Sequence, residues 1–211
     1  MSPRPLFVLA TANPDKAKEI RALFDGVELV ARPAEVPDVD ETGETLEENA
    51  LLKARTLAAA TGRPALADDT GLEVAALGGE PGVRSARWAG PGATYADNVA
   101  KLLVELSLAL VARPGEGRRA RFATVAAAVY PDGTEMTALG VVDGTIAEGP
   151  RGDGGFGYDP VFVPDEGGGR TFAEMGAAEK NALSHRGRAF RALAQHLRTA
   201  GWLVGDDEPL G

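Results

Sequence analysis

The chain alternates short apolar runs with segments of helical periodicity. Residues 6–10 form an unbroken apolar run, too short for a helix and suited to a buried strand. Asn13 and Pro14 follow it. Asparagine caps helix N-termini well, and proline suits the first helical position because its missing N–H would have no helical partner there. The pattern therefore predicts a helix from Pro14 to Asp25-Gly26, where glycine stops it, and a second strand over 27–31. Residues 33–43 are acidic and proline-containing and read as a loop. Thr45 and Glu48 have the spacing of a capping box, and the helix after them carries Leu46, Ala50, Ala54 and Leu57 on one face before ending near Thr61-Gly62. Residues 65–67 form a short strand that Asp68-Asp69-Thr70-Gly71 is expected to break.

Further along, 78–92 is a glycine- and proline-rich loop, 94–111 a helix and 113–119 a charged surface turn. Residues 121–130 and 136–146 read as two strands joined by the hairpin signal Pro131-Asp132-Gly133. Then come a glycine-rich loop over 149–159, a strand over 161–163, a short helix over 172–179 and a final helix over 184–199. This mixture predicts an α/β fold with a partly antiparallel sheet. No repeat and no long linker divides the chain, so residues 1–211 are expected to form one domain, with two lobes on one sheet.

Composition narrows the chemistry. There is no cysteine, which excludes disulfides, thiolate catalysis and cysteine-based zinc sites, and two histidines leave little room for a multi-histidine metal site. A net charge of -9 argues against broad binding to nucleic acid but leaves room for a small phosphate ligand, which needs only a local cluster of cations or a carboxylate-held metal. The apolar run behind Arg4 is too short for a signal peptide, and the apolar stretch 102–112 contains Glu105 and is too short to cross a bilayer. A cytoplasmic protein with no membrane partner is expected.

Three sets of residues could carry chemistry. Asn13 and Lys16 stand at a helix N-terminus, where exposed N–H groups and the helix dipole favour an anion; taken alone, a plain cap with a solvated lysine is the simpler reading. Lys53 shares a helix face with Asn49. Asp68 and Asp69 are adjacent carboxylates, which repel unless a cation or a separated geometry keeps both ionised; with Glu41 they could hold Mg2+ or take a proton from water, and an Asx-turn is the alternative. The third set begins at Gly152-Asp153-Gly154-Gly155-Phe156-Gly157, which satisfies G-x-G-x-x-G. Turn and strand residues follow it instead of a helix, so a dinucleotide site is rejected. Those glycines suit a loop that passes close to a ligand, with Phe156 as a stacking ring and Tyr158 and Asp159 as polar neighbours; a hairpin with Phe156 in the core is the alternative. Lys180 and Ser184-His185-Arg186 open the last helix with basic residues, against the preference of the dipole, a conflict that an anion or an electron-rich base would relieve.

Taken together, these landmarks resemble the inosine triphosphate pyrophosphatase family over nearly the whole chain. They are Thr11-Ala12-Asn13-Pro14-Asp15-Lys16, Glu41-Thr42-Gly43, Glu48-Asn49-Ala50, Lys53-Ala54, Asp68-Asp69-Thr70-Gly71, Ser85-Ala86-Arg87, Gly154-Gly155-Phe156-Gly157-Tyr158-Asp159-Pro160, Glu179-Lys180 and Ser184-His185-Arg186-Gly187. Ala12 stands where the family often has glycine. The resemblance implies an elongated mixed β-sheet flanked by helices, two lobes with a nucleotide-binding cleft between them, and a homodimer. It also implies hydrolysis of ITP, dITP and XTP to monophosphate and pyrophosphate with Mg2+. By position, Asp69 is the implied general base. Glu41 and Asp69 are the implied metal ligands, with Asp68 close by. Thr11, Ala12, Asn13, Pro14, Asp15, Lys16 and Lys53 are implied to hold the triphosphate. Thr70, Phe156, Gly157, Tyr158, Asp159, Lys180, His185 and Arg186 are implied to surround the nucleoside. A purine nucleotide sensor that binds without cleaving is the rival expectation.

Overall fold

In the computed structural model, which describes residues 5–24, 27–113 and 115–203, the apolar runs become strands and the periodic segments become helices. The elements in chain order are β1 (Leu6–Leu9), α1 (Pro14–Leu23), β2 (Glu28–Ala31), α2 (Leu46–Thr61), β3 (Ala65–Val74), β4 (Pro81–Gly82), α3 (Tyr95–Ala112), β5 (Arg119–Val129), β6 (Glu135–Ile146), β7 (Phe162–Pro164), α4 (Ala177–Leu183) and α5 (His185–Thr199). The strands form one mixed sheet in the order β2-β1-β3-β5-β6-β7, with β4 paired antiparallel to β3. β1 lies parallel to β2 and β3, and β7 antiparallel to β6.

The chain divides into two compact units, the first built from residues 1–69, 125–140 and 186–211 and the second from 70–124 and 141–185. In the first unit, strand alternation sorts side chains onto two faces. Phe7, Leu9, Leu66, Ala126 and Ala128 share a core with Ile20 of α1, Phe24 and Phe190, Leu193 and Leu197 of α5. Val8, Ala10, Ala65, Ala67, Val125 and Ala127 share a separate core with Ala50, Ala54, Leu57 and Ala58 of α2. Each face of this sheet is therefore covered by helix, as expected for parallel strands joined by helical crossovers. The second unit has its own core, in which Leu72, Val74, Leu102, Leu106, Phe122, Val142, Ile146, Phe162 and Phe172 pack together.

The capping box of α2 forms as its spacing predicts, and the helix ends on Gly62 at φ 61°. The hairpin between β5 and β6 closes with Tyr130 N–H donating to the Thr134 carbonyl. α1 runs to Leu23 with Phe24 at its C-cap, and the expected stop at Asp25-Gly26 lies outside the described residues.

Two expectations are corrected. Asp68-Asp69 does not break a strand: β3 continues through both residues to Val74. The helix expected over 172–179 is divided into a 3-10 turn at Phe172–Glu174 and α4 at Ala177–Leu183, with the extended Met175 and Gly176 between them. That division places Lys180 inside α4 and not at the start of the last helix. No helix among the described residues is long and apolar enough to cross a membrane.

Candidate active site

The alternation of β3 decides what each aspartate does. Ala65 and Ala67 point into the α2-side core, and Asp69 continues that parity; Leu66 points into the core lined by α1 and α5, and Asp68 continues that one. Adjacent in sequence, the two carboxylates thus leave the strand on opposite faces. This is why a strand can carry both: Lys16 and Arg186 pair with Asp68, Lys53 pairs with Asp69, and neither carboxylate needs an Asx-turn.

On the α2 face, Lys53 is central. Its Nζ lies 2.9 Å from Asp69 Oδ1 and 2.8 Å from Glu41 Oε1. The other oxygen of Asp69 accepts a hydrogen bond from the Asn49 side-chain amide at 3.3 Å, and the Asn49 carbonyl oxygen accepts one from Gly43 N–H at 2.8 Å. Asn49 and Lys53 lie one turn apart on α2, so their side chains reach the same place. Asn49 is fully buried and ties the loop that carries Glu41 to the strand that carries Asp69. Burial pushes the Asp69 carboxyl up, Lys53 opposes this and Glu41 adds to it, and the net direction is upward. Burial works against the Lys53 ammonium, but attraction from Asp69, Asp68 and Glu41 outweighs it and raises its pKa.

On the opposite face, Asp68 Oδ2 lies 3.1 Å from Lys16 Nζ and accepts from Arg186 Nε at 3.2 Å and Nη2 at 3.1 Å. Arg186 also reaches Glu19 Oε2 at 2.5 Å through Nη1. Burial pushes the Asp68 carboxyl up, but Lys16, Arg186 and Lys53 together hold it well below the usual carboxylate range. Lys16 stands in the first turn of α1, whose N-cap Asn13 accepts from the N–H groups of Asp15 at 2.9 Å and Lys16 at 3.3 Å. Thr11 Oγ1 accepts from Asn13 N–H at 3.2 Å, which shapes the turn through Ala12 into the helix.

In the second unit a different set assembles around the glycine-rich loop. Asp159 Oδ2 accepts from Phe156 N–H at 2.7 Å and from Lys180 Nζ at 2.5 Å, and the Lys180 ammonium stands 4.8 Å from the centre of the Phe156 ring. Lys180 and Asp159 are both buried. The arrangement requires glycine at 155: its φ is +69°, and a Cβ there would fall 2.0 Å from Asp159 Oδ2. Gly157, at φ +64°, completes the turn around Phe156. Tyr158 is buried and donates through its hydroxyl to the Ser85 carbonyl at 2.8 Å. The His185 ring stacks on Phe122 with centroids 4.3 Å apart, and Thr70 Oγ1 pairs with the buried Thr124 hydroxyl at 2.7 Å.

The structure therefore gathers the expected residues into three sets. Glu41, Lys53 and Asp69 meet on the α2 face of β3; Lys16, Asp68 and Arg186 meet on the other; and Phe156, Asp159 and Lys180 meet in the second unit. The basic start of the last helix is not a single cluster, since Lys180 pairs with Asp159 and Arg186 with Asp68 and Glu19. Asn49 shares its helix face with Lys53 as the spacing predicts, whereas Glu19 and Thr124 are not legible in the sequence as parts of these arrangements. The signal for Asn49 is its i,i+4 spacing to Lys53, beside the apolar stripe of Ala50, Ala54 and Leu57. Glu19 and Thr124 carry no such mark.

Chemically, the α2-face set can do two things. A buried carboxylate with a raised pKa can accept a proton. Two carboxylates that already converge on one cation offer the hard oxygen donors that Mg2+ prefers. Among the described residues no group of three or more histidines and carboxylates forms a ready-made cage. Mg2+ does not require one, because it is commonly held by one or two carboxylates together with substrate phosphates and water. The residues fit that ion.

The comparisons with known proteins follow this geometry. Residues 7–196 match the model of the Ham1 family. The dITP/XTP pyrophosphatase of Symbiobacterium thermophilum is 50% identical over 192 residues, covering 90% of this chain and 93% of that protein. The dITP/XTP pyrophosphatase of Streptomyces coelicolor is 51% identical over 198 residues, covering 90% and 96%. The structure of a HAM1 protein from Coxiella burnetii superposes with a TM-score of 0.82 at 42% identity, covering 92% of this chain and 99% of that one. With a family match from the first strand into the last helix and relatives at half identity across their length, the chain belongs to the Ham1 family.

Proposed function

We propose that the protein is a nucleoside triphosphate pyrophosphohydrolase that converts ITP, dITP and XTP to their monophosphates and pyrophosphate, and so clears purine nucleotides with a wrong base. The observation that carries this reading is the convergence of Glu41 and Asp69 on a single cationic point at Lys53 Nζ. It is supported by the shared identity with relatives named dITP/XTP pyrophosphatase.

In this reading Asp69, buried on the α2 face of β3 beside Lys53, accepts the proton of the water that attacks the α-phosphorus. Glu41 and Asp69 would hold Mg2+ through their hard carboxylate oxygens. The bound ion supplies charge stabilisation for the departing pyrophosphate. Lys53 and Lys16 add positive charge for the triphosphate, and the N–H groups at the start of α1, shaped by Thr11, Ala12, Asn13, Pro14 and Asp15, add donors. The chain has no G-x-x-x-x-G-K-[ST] loop, so these scattered groups do that work. Asp68 serves as the anchor of Lys16 and Arg186 on the far face of β3.

The second unit takes the nucleoside in this reading, with Phe156 as the stacking ring and Lys180 and His185 as donors. Hypoxanthine and xanthine present an oxygen at position 6, whereas adenine presents an amino group. A buried donor left facing another donor costs about 1–3 kcal/mol, so two such mismatches disfavour adenine strongly. We also propose that the protein works in the cytoplasm as a homodimer, and light scattering of the purified protein tests the dimer.

Pyrophosphate release from ITP, dITP, XTP, ATP and GTP, with Mg2+ and without it, tests the assignment. Release from the first three in the presence of Mg2+, with ATP turned over slowly, is expected. Nucleotide binding without release would identify a sensor, and equal release from ATP and ITP would overturn the account of base selection alone.

A further inference from the structure

Lys53 occupies an unusual place for a residue expected to serve the triphosphate. Its ammonium is already committed, at hydrogen-bond distance, to one oxygen of Glu41 and one of Asp69, and only 12% of its side chain is exposed. These are the two carboxylates that hold the metal in the reading above. The remaining oxygen of Asp69 accepts from Asn49, whose own carbonyl oxygen is tied to Gly43 N–H. Asn49 thus fixes Asp69 and the loop that carries Glu41, and Lys53 joins the two carboxylates.

A divalent ion cannot simply be added to this arrangement. Mg2+ binds carboxylate oxygen at about 2.0–2.1 Å. An ion seated at that distance on the two oxygens that face Lys53 repels the ammonium strongly. We infer that Lys53 is the internal counter-cation of the metal site, and that a divalent ion enters Glu41 and Asp69 by displacing its ammonium. The inference rests on Glu41 and Asp69 being the metal ligands.

The arrangement has two effects. Lys53 stands between the two carboxylates and holds them at their spacing before any metal arrives. The same ammonium must be moved, so metal alone binds weakly. A triphosphate gives the displaced ammonium a new anionic partner, which makes metal and nucleotide favour one another's binding. Such coupling is reciprocal: whatever nucleotide adds to metal affinity, metal adds to nucleotide affinity.

Binding of Mn2+ to nucleotide-free protein, followed by electron paramagnetic resonance, tests this without turnover. Lys53→Met and Lys53→Gln are expected to bind Mn2+ about ten-fold tighter than the parent protein or better, because one repelling charge is gone. Lys53→Arg keeps the charge and is expected to bind no tighter than the parent. Equal or weaker binding by both neutral variants overturns the inference. Glu41→Gln and Asp69→Asn test the underlying assignment separately: both should lose Mn2+, and if neither does, the metal ligands themselves are misassigned. The unmodified sequence gives an independent check should the neutral variants fold poorly. Reductive methylation of Lys53, read by mass spectrometry, should accelerate when Mg2+ is added, and an unchanged rate overturns the exchange.

Discussion

Asp68 and Asp69 have the same side chain and adjacent positions, yet their surroundings move their acidities in opposite directions. Asp68 pairs with Lys16 and Arg186 and is attracted by Lys53 from further away, so its charged form prevails despite burial; for Asp69, burial and Glu41 outweigh Lys53. The difference yields separate predictions. Asp69→Asn should lower ITP turnover by about 10²–10⁴-fold, the usual contribution of a positioned base, in the pyrophosphate-release assay. Asp68→Asn should act mainly on stability: removing one partner of a buried ion cluster costs about 3–5 kcal/mol, measurable by urea denaturation at neutral pH. The sign of the pH effect follows from the depressed acidity of Asp68. Its stabilisation is complete above the unfolded carboxylate value, about 3.9, and is lost as pH falls below that value towards the lower folded one. The urea midpoint of the parent protein should therefore fall more steeply on acidification than that of Asp68→Asn. A variant with the parent's acid profile would refute the role assigned to the Asp68 cluster.

At the scale of elements, most of the architecture was legible because local chemistry wrote it. The cap at Asn13-Pro14, the box at Thr45 and Glu48, and the hairpin at Pro131-Asp132-Gly133 are short-range signals, and each formed where its spacing predicts. β3 was misjudged for the complementary reason. Two adjacent aspartates look like a turn until the cations that neutralise them are known, and those cations arrive from α1, α2 and α5, distant in sequence. The division between the 3-10 turn and α4 was likewise hidden, since Thr171 caps the first piece through Glu174 while Gly176 begins the second. In Gly155→Ala the backbone remains at positive φ and the new methyl meets Asp159, a strain of about 1–3 kcal/mol. If Phe156 and Lys180 take the base, KM for ITP should rise about ten-fold, since each 1.4 kcal/mol is about a factor of ten in affinity. Little change in kcat is expected, and an unaltered KM would detach this loop from the nucleoside.

For the molecule as a whole, both units rest on apolar cores that owe nothing to a metal, and the carboxylates of the α2 face already have an internal cation. Metal removal should therefore separate activity from folding. Treatment with EDTA is expected to abolish pyrophosphate release while leaving the thermal midpoint and the circular dichroism spectrum of the protein unchanged. A large drop in midpoint would show that an ion is part of the fold. The overall negative charge of the chain bears on neither result, because the groups proposed for the triphosphate act at short range, where burial limits screening.

The interleaved make-up of the first unit also governs how the protein can be made. Its β1 and β3 leave the ribosome early, but part of the core they require comes from Phe190, Leu193 and Leu197, among the last described residues to be synthesised. A nascent chain that ends before α5 exposes one face of its earliest strands, and Asp68 waits for Arg186 just as long. Completion of this unit is thus a late event in translation, and premature termination within the last helix should release a chain for the cell's quality control to remove instead of a partly working enzyme.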